Sequence, residues 1–249
     1  MRHPVFLAAT LAIAVPLSAC GYSVFDAADD MQNSSFEGGK AITTAVQSTE
    51  AFTQVEAMGP DNVVLVTGDT FSIKAEGNAE AIQTLRFKMD GPTIQIGRNK
   101  GKWFGDSGKG VTITITAPVV SSVSLAGSGD FKGDKLSGDK VVIDLAGSGN
   151  VDIADITAPS VEGNVAGSGD IKVAGKVNKA EWSIAGSGNV DASSIVSEDV
   201  EVSIAGSGDI RVNATKTVDA SIAGSGDVTV TGGAKCSKSV IGSGKVTCG

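Results

Sequence analysis

An all-β fold is predicted: a parallel β-helix-like solenoid of about seven 18–20-residue rungs, capped by an N-terminal β-rich region. Three observations predict it. Gly-Ser-Gly recurs seven times, starting at Gly127, Gly147, Gly167, Gly186, Gly206, Gly224 and Gly242, at spacings of 20, 20, 19, 20, 18 and 18 residues. Asp or Asn follows six of the copies. On both sides of each copy, apolar and polar residues alternate. A fixed period near 20 means one supersecondary unit stacked on itself.

The chain opens on a targeting segment. Arg2 and His3 precede an apolar run from Val5 to Val15 that is too short to span a bilayer as a helix. Leu17-Ser18-Ala19-Cys20 then resembles a bacterial lipobox, so residues 1–19 read as a lipoprotein signal peptide and Cys20 as the lipidated first mature residue. Simple secretion is the alternative, but Leu17 fits an ordinary signal-peptidase site poorly. Gly21 rather than Asp after the cysteine points to retention in the outer membrane. Residues 20–49 are rich in Ser, Thr, Gln and Gly without sustained periodicity, and read as a flexible tether.

Residues 50–249 form the domain, with a non-repeating β cap over 50–120 and the Gly-Ser-Gly solenoid over 121–249. In the cap, Val63–Val66, Phe71–Lys74, Leu85–Met89, Thr93–Ile96 and Val111–Thr116 read as strands. Asp90-Gly91 marks a hairpin, and Asn78 to Leu85 reads as a short helix with Asn78 as N-cap. Between Arg98 and Gly110, Lys100, Lys102 and Lys109 flank Trp103-Phe104 among several glycines. Trp103, Phe104 and Lys102 are therefore candidate surface contacts for glycan or membrane, unless the two rings fold back over the open end of the solenoid.

Aligning the copies on their first glycine turns the repeat into columns. Two residues before it stand Leu125, Leu145, Val165, Ile184, Ile204, Ile222 and Val240; four after it stand Phe131, Val151, Ile171, Val190, Ile210, Val228 and Val246. The position three before is polar throughout. Each rung is thus a strand, a tight glycine corner and a second strand, with alternate side chains facing inward. Five after the glycine, Lys132, Asp152, Lys172, Asp191 and Arg211 alternate in sign, which suits parallel strands about 4.8 Å apart. Trp182 falls in a column shared with Val123, Ile143 and Val202 and reads as core. At that strand spacing the repeats extend roughly 29 Å along the axis.

Cys236 and Cys248 lie in the last copy. In an exported chain an even pair reads as a disulfide, worth about 3 kcal/mol for a loop of this length. It would pin the terminal rung, where Lys238 and Lys245 blunt the exposed edge. Metal ligation or free thiols are the alternatives. After Arg2 leaves with the leader, 19 basic residues face 28 acidic ones, a formal −9 against −8 for the whole chain, which argues against nucleic acid as a partner. The single histidine, His3, lies in the leader, so Ser-His-Asp and Cys-His catalysis and most zinc sites are excluded from the mature chain. No cofactor is called for. Calcium is the remaining ion to weigh, but the 18–20-residue period and the Asn at two corners dilute the carboxylates a regular ion ladder needs. Weak calcium binding at Asp209 and Asp227 stays open.

Phe52 to Glu56, Val63 to Asp69, Val111 to Pro118 and the Gly-Ser-Gly-Asp repeats together resemble the head GIN domain family, described as adhesins of autotransporter type, over about residue 50 to the end. The resemblance implies a β-helix-like fold exported to the cell envelope, and supplies no catalytic motif. The expected function is a non-catalytic lipid-anchored outer-membrane protein presenting a rigid surface to an envelope glycan or protein. The alternative is a carbohydrate-active β-helix enzyme, a polysaccharide lyase or hydrolase using paired carboxylates or a lysine base.

Overall fold

The computed structural model describes Phe36, residues 38–99 and residues 110–249. Cys20, Lys102, Trp103 and Phe104 lie outside the described residues. The N-terminal part holds β1 (Lys40–Ala41), β2 (Gln47–Ser48), β3 (Gln54–Gly59), β4 (Asn62–Thr67), β5 (Ser72–Glu76), the helix α1 (Ala79–Thr84), β6 (Leu85–Asp90), β7 (Thr93–Arg98) and β8 (Thr112–Ala117). The repeats hold β9 (Ser122–Gly127), β10 (Phe131–Gly133), β11 (Leu136–Ser137), β12 (Lys140–Gly147), β13 (Val151–Thr157), β14 (Ser160–Gly167), β15 (Ile171–Lys176) and β16 (Lys179–Gly186). They end with β17 (Val190–Gly206), β18 (Ile210–Gly224), β19 (Asp227–Thr231), β20 (Lys235–Gly242) and β21 (Lys245–Cys248).

Two parallel ladders carry the fold. Strands running into the corners stack in the order β7, β3, β9, β12, β14, β16, the second halves of β17 and β18, and β20. Strands leaving the corners stack as β8, β4, β10, β13, β15, the first halves of β17 and β18, β19 and β21. Equivalent repeat positions face one another: Leu145 is opposite Leu125 and Val165, and Gly147 opposite Gly127 and Gly167. The result is a β-solenoid. Seven Gly-Ser-Gly corners bound six complete turns, so the seven expected rungs are about six full turns and a partial last one.

Both apolar columns point inward and are buried down to Ile222 and Val228, forming one continuous core. Each fully buried aliphatic side chain contributes roughly 1.5–3 kcal/mol, and this burial drives the stacking. Trp182 is 1% exposed, as its column predicts. Its indole fits because the residue opposite it on the preceding strand is Gly163, where a Cβ would overlap the ring.

The N-terminal end is closed by antiparallel strands. β6 pairs with β7 and β1 with β6, while β5 pairs with β8 and β2 with β5. α1 follows the expected helix, with the Asn78 side chain accepting from the Ala81 N–H at 2.9 Å. Two expectations need correction here. The described part of the expected tether over 20–49, Phe36 and residues 38–49, belongs to the domain: Phe36 and Ile42 are buried, and β1 and β2 are hydrogen-bonded to it. The cap over 50–120 also contains rungs. β3 and β4 stack in register under the first repeat, with Gly59 opposite Gly127 and Val63 opposite Phe131. β7 and β8 stack in turn on β3 and β4.

Candidate functional site

The corner is the most repeated group, and its residues answer to the fold. Gly167 has φ +128°, and a Cβ there would overlap the carbonyl oxygen of Gly147 on the preceding rung. At Gly169 a Cβ would overlap the Gly149 carbonyl in the same way. Between them, Ser168 donates its N–H to the Gly147 carbonyl at 2.9 Å while its side chain is exposed. The Asp or Asn that follows builds a ladder. The Oδ1 of Asn62 accepts the Asp130 N–H at 2.9 Å, Asp130 accepts Asn150 at 3.1 Å, and Asp170 accepts Asn189 at 2.9 Å. The ladder continues through Asn189, Asp209 and Asp227 to the Lys245 N–H. Where Asn follows Asp, the amide also donates to the neighbouring carboxylate, at 2.8 Å for both Asn150 to Asp130 and Asn189 to Asp170. One oxygen each of Asp209 and Asp227 is thereby engaged with backbone. Among the described residues, no three His, Cys, Asp or Glu converge as a metal set.

A different arrangement stands at the first rung. Between β7 and β8, where later rungs have two or three residues between the strands, residues 99–111 intervene as an insertion. The roots of this insertion meet at Asp61, which takes the place of the second corner glycine, since Gly59 is in register with Gly127. Arg98 Nε donates to Asp61 Oδ2 at 2.7 Å, Nη2 donates to Oδ1, and the Val111 N–H donates to Oδ1 at 3.3 Å. The two side chains are 2% and 4% exposed. Asp61 raises the Arg98 pKa above its ordinary value, chiefly through the hydrogen bond and against the cost of burial. Lys102, Trp103 and Phe104 belong to the segment that this clamp roots.

The outer face of the first ladder carries a shallow depression of about 170 Å³, lined by Gln54, Glu56, Gln95, Ser124 and Asp144 among others. Gln95 donates to Glu56 at 2.9 Å. Burial pushes the Asp144 carboxyl up. On the next rung Glu162 is held below its usual range, chiefly by the hydrogen bond from Lys140. Asp144 and Glu162 thus form a pair of carboxyls shifted in opposite directions. Its members are engaged with each other: Asn164 Nδ2 donates to Asp144 at 2.9 Å and to Glu162 at 3.2 Å, and Lys140 is salt-bridged to Glu162. The geometry favours structural polar pairing over carbohydrate cleavage.

The last rung brings Cys236 and Cys248 together, their Cα atoms 6.7 Å apart, within the span a disulfide allows. Both occupy inward columns, Cys236 opposite Val218 and Cys248 opposite Val230. Lys238 stands opposite Ala220, in the column that holds Trp182 in the interior. Sequence reasoning missed the Arg98–Asp61 clamp. Its signal was the alignment of Gly59-Pro60-Asp61-Asn62 with Gly127-Ser128-Gly129-Asp130, which the absence of a Gly-Ser-Gly motif obscures.

The family described as "Putative auto-transporter adhesin, head GIN domain" matches residues 51–234. A solved structure of a "putative adhesin" from Bacteroides fragilis NCTC 9343 is 25% identical, covers 83% of this chain and 99% of its own, and superposes with a TM-score of 0.76. A "putative lipid binding protein" from Parabacteroides distasonis ATCC 8503 is 24% identical over 84% of this chain and 100% of its own, with a TM-score of 0.65. A "putative adhesin" from the same strain is 16% identical over 84% and 99%, again at 0.65. Comparison with curated proteins gives no match.

Proposed function

This chain belongs to the head GIN domain family, and from that premise we propose that it is a non-catalytic, lipid-anchored outer-membrane protein whose rigid β-solenoid presents a binding or adhesive surface. The family description and the similar Bacteroides "putative adhesin" support an envelope or surface role. Lipidation at Cys20 and retention by Gly21 rest on the leader sequence.

The observation that carries the reading is the engagement of the repeated polar groups. Corner N–H groups and Asx oxygens bond from rung to rung, so the repeat makes a stiff column and leaves recognition to its non-repeating parts. Among those parts, the segment rooted on Asp61 supplies Lys102, Trp103 and Phe104 for contact with an envelope glycan or protein. A disulfide between Cys236 and Cys248 closes the far rung, as an exported chain allows.

Two measurements test the proposal. Membrane fractionation with labelled fatty acid should find the label on the wild-type chain in the outer membrane, and neither label nor membrane association after Cys20→Ser. An unlabelled, soluble wild-type chain overturns the anchor. Pulldown of envelope glycans and proteins with the full chain should lose a partner on Trp103→Ala. A protein that captures nothing in either form has a structural role only.

A further inference from the structure

The C-terminal end of the solenoid differs from every interior rung. β20 pairs only with β18, and β21 only with β19, so along the opposite edge their backbone N–H and C=O groups have no strand partner among the described residues. Three column positions change here together. Ile241 replaces the Ala found before the glycine in all six earlier copies and is 76% exposed. Lys238 enters an inward column, and Lys245 replaces the Asp or Asn of the corner ladder. Lys235 is the third cation. All three lysines are exposed, and none forms an ion pair among the described residues. From Gly232 to Gly249 there is no acidic residue, on a chain whose net charge is −8.

We propose that this edge is a docking site for an extended, acidic polypeptide strand of another protein, which adds to β20 and β21 by β-augmentation. The alternation of N–H and C=O along the edge is answered in register by another strand. The three lysines select acidic side chains, and Ile241 offers an apolar anchor beside them. A second copy of this chain does not fit. Stacked end to end in the same way, its rung meets Lys238 where the core needs an apolar side chain, and Lys245 where its corner N–H needs an Asx oxygen. Paired edge to edge, two copies set three lysines against three. The lysines thus block self-assembly, as edge cations do, while the Ile241 position supplies more apolar surface than blocking requires. This inference goes beyond the envelope reading and does not depend on the lipid anchor.

The test uses the full chain in detergent and two fluorescein-labelled ten-residue peptides, one alternating Val with Glu and one alternating Val with Lys. Anisotropy should show binding of the Val/Glu peptide alone, and hydrogen exchange should show new amide protection confined to residues 235–248. Ile241→Ala should weaken binding about tenfold, and Lys238→Glu with Lys245→Glu should reverse the preference to the Val/Lys peptide. Because these side chains are exposed, the variants should keep the wild-type melting profile. Equal binding of both peptides, or binding without amide protection on the last rung, overturns the proposal. Displacement of the Val/Glu peptide by an anionic polysaccharide that protects no amide there also overturns it, by assigning the lysines to a polyanion.

Discussion

Gly167 and Ser168 sit side by side in one corner and respond to opposite constraints. The glycine has φ +128° and no space for a Cβ beside the Gly147 carbonyl, whereas the serine side chain is exposed. Gly167→Ala should therefore cost about 2–4 kcal/mol in urea unfolding, from backbone strain and the displaced rung contact, while Ser168→Ala should stay within about 0.5 kcal/mol. Similar losses from both would show that the corner is held by its hydroxyls. Asp61 and Arg98 set a sharper case, because both charges are nearly inaccessible. Arg98→Met leaves a buried carboxylate without its guanidinium and should cost about 3–5 kcal/mol, whereas Arg98→Met with Asp61→Leu should recover much of that. A double variant as unstable as the single one would mean that the pair is needed for shape as well as for neutralisation.

Along the strands, register decides which charges meet. Glu162, Glu181, Glu201 and Asp219 are directly opposite one another on four successive strands of the first ladder. Lys140 pairs with Glu162, and Lys179 approaches Glu201 at 3.8 Å. Glu181 stands between two like charges. Glu181→Lys should raise stability by about 0.2–1 kcal/mol in thermal melts at low salt, and the gain should shrink at 1 M NaCl. A salt-independent gain would point to packing instead. The alternating column is real in register, with Lys132 opposite Asp152, Asp152 opposite Lys172 and Lys172 opposite Asp191. The Asp191 carboxyl is nevertheless held below its usual range first by Ser193, with Arg211 and Lys172 contributing less. Inward columns, corners and charge order were therefore legible from the repeat, because parallel in-register stacking places equivalent residues together. The clamp was not. Arg98 and Asp61 are 37 residues apart, and their meeting depends on β7 stacking on β3 across a corner enlarged by insertion.

At the scale of the whole molecule, a solenoid has ends, and its two ends are built differently. Each rung contacts chiefly its neighbours, so stability is approximately a sum of rung and interface terms, and unfolding begins where a neighbour is missing. At the N-terminal side, α1 and antiparallel strands cover the first rungs. At the C-terminal side no described residue covers β20 and β21; Val240 and Ile241 are exposed, and among the inward residues of the last rung Val246 alone is buried. With so little buried area, the last rung would gain most from a disulfide between Cys236 and Cys248, which it brings within reach across its interior. If that link forms, Cys236→Ser with Cys248→Ser should accelerate amide exchange over residues 235–248 by about a hundredfold, the equivalent of about 3 kcal/mol. Exchange in β12, β14 and β16 should stay unchanged, because at least two intervening rungs separate each of them from the last one. Equal acceleration throughout would mean that the column unfolds as one cooperative unit. No acceleration at the end would mean that the rung is held by its backbone ladder alone.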